Sequence, residues 1–120
     1  MSRRVLVVED DTAVRRLISD ALRENGIDVI SALDGWHALR TALAARPAAV
    51  VLDIGLPEMD GADFVARWRE RSPSASDVPI VVVSGRADAS EVATLIGATR
   101  LFTKPFIVDE LVGAVGRALH

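Results

Sequence analysis

The 120-residue chain has no cysteine. Disulfides, thiol catalysis and cysteine-based zinc sites are therefore excluded. Histidine is nearly absent: His37 and His120 are far apart and have no ligand-like spacing. A basic excess is also missing. The formal net charge is −3, so nothing predicts direct nucleic-acid binding. There is no apolar run long enough to cross a membrane. Met1-Ser2-Arg3-Arg4 is positively charged, but the apolar stretch after it lasts only from Val5 to Val8, too short for a signal-peptide core. The expected location is the cytoplasm, with no membrane partner. Half of the residues are apolar, enough for the core of one compact domain, expected over 1–120.

What is present is an alternation. Val5–Val8 reads as a buried strand running into Glu9-Asp10-Asp11. Val14, Leu17, Ile18, Ala21 and Leu22 follow at helical spacing, with Asp11 or Thr12 as cap and Gly26 beyond the end. Ile27–Ala32 reads as a weaker strand. Asp34-Gly35 opens a second helix with Ala38, Leu39, Ala42 and Leu43 inward, stopped near Pro47. Val50-Val51-Leu52 is an apolar strand that ends in Asp53, and Gly, Pro and Asp-Gly then mark a loop. A third helix uses Phe64, Val65 and Trp68. Residues 71–79 read as a polar Ser/Pro loop. Ile80–Val83 is a fourth strand ending at Ser84-Gly85. Val92, Leu95 and Ile96 mark a fourth helix, closed by Gly97. Thr99–Thr103 is a fifth strand ending in Lys104-Pro105. Leu111, Val112, Val115, Ala118 and Leu119 face a last helix inward.

Five strands alternating with five helices predict a flavodoxin-like, doubly wound (βα)5 three-layer α/β sandwich. With the parallel sheet in the order 2-1-3-4-5, strands one and three meet where the strand order reverses, and ligands bind beyond their carboxyl ends. Glu9-Asp10, Asp53, Ser84 and Lys104 all fall on that edge. Alone, each has an ordinary explanation: a strand-end Asp is more often a cap, and Ser-Gly or Lys-Pro a turn. Together they make a cluster of hard oxygen ligands suited to Mg²⁺, with a lysine and a hydroxyl to hold a multi-oxygen anion such as phosphoryl. A carboxylate so placed is a candidate nucleophile.

Four motifs, Val7-Val8-Glu9-Asp10-Asp11, Leu52–Gly61, Val83-Ser84-Gly85 and Thr103-Lys104-Pro105-Phe106, together resemble those of response-regulator receiver domains over essentially the whole chain. The resemblance implies that Asp53 accepts phosphate from a phosphohistidine, on a sensor histidine kinase or a histidine phosphotransfer protein. It implies Mg²⁺ held by Asp10, Asp53 and the Gly55 backbone carbonyl, with Glu9 acting through water. Ser84 and Lys104 would hold the phosphoryl oxygens. The output partner is unknown. The surface switched would be the fourth strand–helix loop and the face of the fourth helix, fifth strand and fifth helix. A monomer or a weak phosphorylation-dependent dimer is implied. Such a domain accepts phosphoryl and can help its own phosphorylation and dephosphorylation, but is not a turnover enzyme.

Two departures touch output. Leu101 stands where most receivers carry an aromatic switch, and its neighbour Phe102 points to the opposite side. The segment from Ser84 to Gly97 is shorter than usual. Arg86 and Gly55 flank the site as candidates for tuning phosphate lifetime. Trp36 and His37 read as rim residues, and Trp68 as core. Gly113 and Gly116 sit in a helix at a cost of about 1 kcal/mol each relative to Ala. They are either tolerated or a place for a partner to approach. Two other functions compete. An aspartate-nucleophile phosphatase would place a second Asp where this chain has Gly55. A degenerate receiver serving only as a binding scaffold would not keep all four of Asp10, Asp53, Ser84 and Lys104. The chain stops with the fifth helix, which fits a single-domain regulator, a phosphorelay shuttle or a receiver cut from a hybrid kinase.

Overall fold

A computed structural model describes residues 3–120; Met1 and Ser2, which open the charged start, lie outside the described residues. The elements alternate as expected: β1 (Val5–Val8), α1 (Thr12–Glu24), β2 (Val29–Ala32), α2 (Gly35–Ala45), β3 (Ala49–Leu52), α3 (Gly61–Arg71), β4 (Ile80–Ser84), α4 (Ala89–Ile96), β5 (Arg100–Thr103) and α5 (Val108–Ala118). All strand pairs are parallel, in the order β2-β1-β3-β4-β5. No described helix is long and apolar enough to cross a membrane.

Period-two alternation divides the buried strands between two cores. Leu6, Val8, Val50, Leu52, Ile80 and Val82 face the side covered by α2, α3 and α4. Val5, Val7, Ala49, Val51, Val81 and Val83 face α1 and α5. On the first side Trp68 is buried and stacks on Phe64, with ring centroids 5.7 Å apart and planes 9° from parallel. Such a pair adds roughly 0.5–1.5 kcal/mol beyond the area it buries.

Some sequence expectations shift. The second strand starts at Val29 rather than Ile27, because the Ile27 amide donates to the Leu22 carbonyl at 3.1 Å and closes α1 behind Gly26. The Ser/Pro loop contains a short 3₁₀ helix at Pro73–Asp77 with Ala75 buried. Leu17 and Leu95 share the helical spacing of their neighbours but are 51% and 78% exposed. Both lie on helix flanks that the two flanking layers leave uncovered, a distinction that periodicity does not carry. Trp36 is 43% exposed, with the Arg67 guanidinium 5.2 Å above its ring. His37 Nδ1 accepts from the Leu33 amide at 3.2 Å, a structural role at the helix rim.

Candidate functional site

The carboxyl ends of β1, β3, β4 and β5 bring the expected polar groups to one edge of the sheet. Glu9 and Asp53 are buried there, while Asp10 is exposed. Carboxylate oxygens of Glu9, Asp10 and Asp53 lie within 4.8 Å of one another. Lys104 arrives from β5 and donates to Glu9 Oε1 at 2.6 Å and to Asp53 Oδ2 at 3.2 Å. One lysine against three clustered carboxylates leaves negative charge to be balanced, and the donors are all hard oxygens. The set fits Mg²⁺.

Local backbone holds each group in place. Asp11 caps α1 by accepting from the Val14 amide at 3.0 Å, and its own amide donates to Glu9 Oε2 at 3.2 Å. Arg15, one turn into α1, donates to the Glu9 carbonyl at 2.8 Å. It steadies the acidic turn, and its place one turn into the helix that follows is the only sequence signal for that role. The Gly55 amide donates to Asp53 Oδ1 at 2.9 Å, which orients the carboxylate. Ser84, fully buried at the end of β4, accepts from the Arg86 amide at 3.0 Å. Its hydroxyl proton remains available for donation.

Burial pushes the Glu9 carboxyl up to about 7, opposed by its hydrogen bond with Lys104. Burial also works against the Lys104 charge, but the Glu9 hydrogen bond and the Asp53 charge outweigh it and hold the ammonium above its ordinary value. Lys104 therefore stays a cation at the mouth of the site.

Arg86 lies above Gly55 and pairs with Asp88, for which the Arg-x-Asp spacing is the one signal in the sequence. Leu101 stands apart from the cluster. It pairs with Val82 and packs, partly buried, against the core that includes Ala89, Ala93 and Ile96. Phe102 is buried in the opposite core, as alternation requires. An apolar notch lined by Val14, Leu17, Pro105 and Phe106 adjoins Lys104. Exposed Leu17 forms part of it.

Several known proteins are similar to this chain along almost its whole length. The transcriptional regulatory protein PrrA of Mycobacterium tuberculosis is 43% identical over 121 residues, covering 99% of this chain and 51% of that protein. The response regulator MprA of Mycobacterium ulcerans is 41% identical, with 99% and 50% covered. The chain thus spans about half the length of these curated relatives. Among solved structures, a putative response regulator from Chloroflexus aurantiacus superposes with a TM-score of 0.89 at 30% identity, covering 99% of this chain and 98% of that one. The chemotaxis protein CheY4 of Vibrio cholerae gives 0.87 at 29% identity, with 98% and 99% covered. Neither the phosphatase nor the scaffold alternative gains support from these relatives. Receiver domains bind Mg²⁺ at an acidic pocket and serve as phosphoacceptors in two-component signalling, and response regulators work with sensor kinases. Residues 5–116 match the response regulator receiver domain, and the chain belongs to that family.

Proposed function

We propose that this chain takes a phosphoryl group onto Asp53 from the phosphohistidine of a sensor kinase or histidine phosphotransfer protein. The observation that carries this is the pairing of Asp53 with Lys104 at 3.2 Å beside Glu9 and Asp10. In the transfer a carboxylate oxygen of Asp53 bonds to phosphorus and the phosphorus–nitrogen bond breaks. The electron pair returns to the imidazole nitrogen, and an acyl phosphate remains on Asp53. Lys104 neutralises charge on the equatorial oxygens, and the Ser84 hydroxyl donates to another. Asp10, Asp53 and the Gly55 carbonyl would hold Mg²⁺, with Glu9 acting through water; the ion supplies further charge neutralisation when bound. The apolar notch beside Lys104 gives a protein donor a surface to rest on while its imidazole reaches Asp53. Cytoplasmic location, a single domain over 1–120 and a monomer or weak dimer accompany this reading.

The metal has a direct test. Mg²⁺ should raise the melting temperature by mass action, and Asp10→Ala should abolish that rise. The baseline melting temperature of the variant should not fall, because one of three clustered like charges is gone. An unchanged Mg²⁺ titration in the variant would place the ion elsewhere.

The output is also testable. Leu101 has no hydroxyl and no ring, so a side-chain flip there has little to signal with. Hydrogen exchange with and without beryllofluoride should change over residues 84–97, and Leu101→Ala should preserve the change. Loss of the response in Leu101→Ala, with phosphorylation intact, would make Leu101 a switch residue.

A further inference from the structure

Four of the five helices begin at an aspartate. Asp11, Asp34 and Asp60 have extended backbones, with ψ of 117°, 176° and 172°. Each accepts from the amide three residues on: Val14 at 3.0 Å, His37 at 2.8 Å and Asp63 at 2.9 Å. Asp88, ahead of α4, differs. Its ψ is 10° and its side chain caps nothing.

Arg86 accounts for the difference. Its Nε donates to Asp88 Oδ1 at 2.9 Å and its Nη2 to Oδ2 at 2.7 Å, so both oxygens of the cap residue are occupied. The remaining nitrogen, Nη1, donates to the carbonyl of Ile54 at 3.3 Å, the residue after Asp53. The side chain thus bridges the loop after β4 to the loop after β3. It passes over Gly55: a Cβ there would stand 3.3 Å from Arg86 Cδ and 3.6 Å from Asp53 Oδ1. The bare backbone at 55 is what lets a guanidinium-bearing chain lie beside the Asp53 carboxylate.

The two side chains of the Arg86–Asp88 pair are 40% and 44% exposed, a setting in which an ion pair holds weakly. A phosphoryl group on Asp53 would bring more negative charge than one carboxylate and more acceptor oxygens. The planar fork of arginine matches phosphate oxygens in bidentate fashion. The exchange of partner therefore runs toward the phosphoryl group.

We propose that Arg86 is a ligand of the phosphoryl group on Asp53, and that in binding it the guanidinium releases Asp88 to cap α4. This rests on Asp53 being the phosphoacceptor. The freed Asp88 turns to the extended backbone of the other three caps and accepts from the Glu91 amide. Occupancy at the strand ends is then read out as order in the first turn of α4, through Arg86 and independently of position 101.

The test is amide hydrogen exchange, resolved to single residues by NMR, on the 120-residue protein in Mg²⁺ with and without beryllofluoride. In wild type, protection of the Glu91 amide should rise about fivefold with beryllofluoride, the size of one N-cap. In Arg86→Ala, Asp88 is free from the start, so Glu91 should be protected already and gain nothing further. In Asp88→Ala, Glu91 should stay unprotected in both conditions. Fluorine NMR of the same samples reads beryllofluoride binding, which Arg86→Ala should weaken. Failure of wild type to bind beryllofluoride would remove the phosphoacceptor reading and this proposal with it. Binding without a Glu91 response, or Glu91 unprotected in free Arg86→Ala, would overturn the proposal alone.

Discussion

Incubation with acetyl phosphate and Mg²⁺ is expected to add one phosphoryl group to the wild-type chain and none to Asp53→Asn, as read by intact mass. Three carboxylates compete for the role, and their surroundings differ. Glu9 is buried, bonded to Lys104 at 2.6 Å and to the Asp11 amide, and burial raises its carboxyl to about 7. A group so buried, with both oxygens already engaged, is poorly placed to attack phosphorus. Asp10 is exposed at the edge of the cluster, while Lys104 pairs with Glu9 and Asp53. Asp53 alone stands at the centre, between Lys104 and the Gly55 amide. The Asn replacement keeps an oxygen to accept from Gly55 and removes one like charge from the cluster, so the fold is preserved and the loss of labelling reports chemistry. Undiminished labelling of Asp53→Asn, traced by peptide mapping to residues 9 and 10, would move the acceptor to β1.

The gathering of these groups at one edge was legible because it depends on strand ends, and strand ends follow largely from short apolar runs that stop abruptly. Asp53 and Ser84 close such runs, Lys104 follows the more mixed stretch Arg100–Thr103, and parallel order brings all three to one edge. The 2.6 Å contact of Lys104 with Glu9 spans 95 positions of sequence, yet the order 2-1-3-4-5 makes the approach unsurprising. Side-chain pairing within loops was not legible. Arg86 could equally have reached solvent, and nothing local says that it would take both oxygens of the next helix cap. The exposure of helix flanks was not legible for a related reason. Leu17 and Leu95 have the spacing of inward residues, but how far a neighbouring layer extends over a helix is decided by the whole sheet. The 3₁₀ turn at Pro73–Asp77 was hidden because Ser and Pro signal irregular chain at this length.

The tightness of the loop that carries Gly55 was also invisible in the sequence, and it predicts a large loss of stability. A Cβ on Gly61 would stand 2.7 Å from the Cα of Ile54 and 3.0 Å from its Cγ2, closer than such atoms pack. Ile54 is fully buried, and the Gly61 amide donates to its carbonyl at 3.0 Å, so neither side has room to yield. Gly61→Ala gains at most about 1 kcal/mol in helix propensity. Overpacking costs typically 1–3 kcal/mol, more where backbone is the obstacle. The net loss should be on the order of 2 kcal/mol, a fall in melting temperature of roughly 10 °C for a domain of this size. The displaced loop runs from Asp53 through Gly55, so the thermal response to Mg²⁺ should shrink as well. Gly116→Ala is the control. Nothing lies within 4 Å of a Cβ there, and the residue is inside α5. The same chemical change should raise the melting temperature by a few degrees, up to about 1 kcal/mol. Thermal melts of the two variants with and without Mg²⁺ decide the matter. If Gly61→Ala melts with wild type and keeps the full Mg²⁺ response, the close approach to Ile54 does not set the position of the Asp53–Gly55 turn.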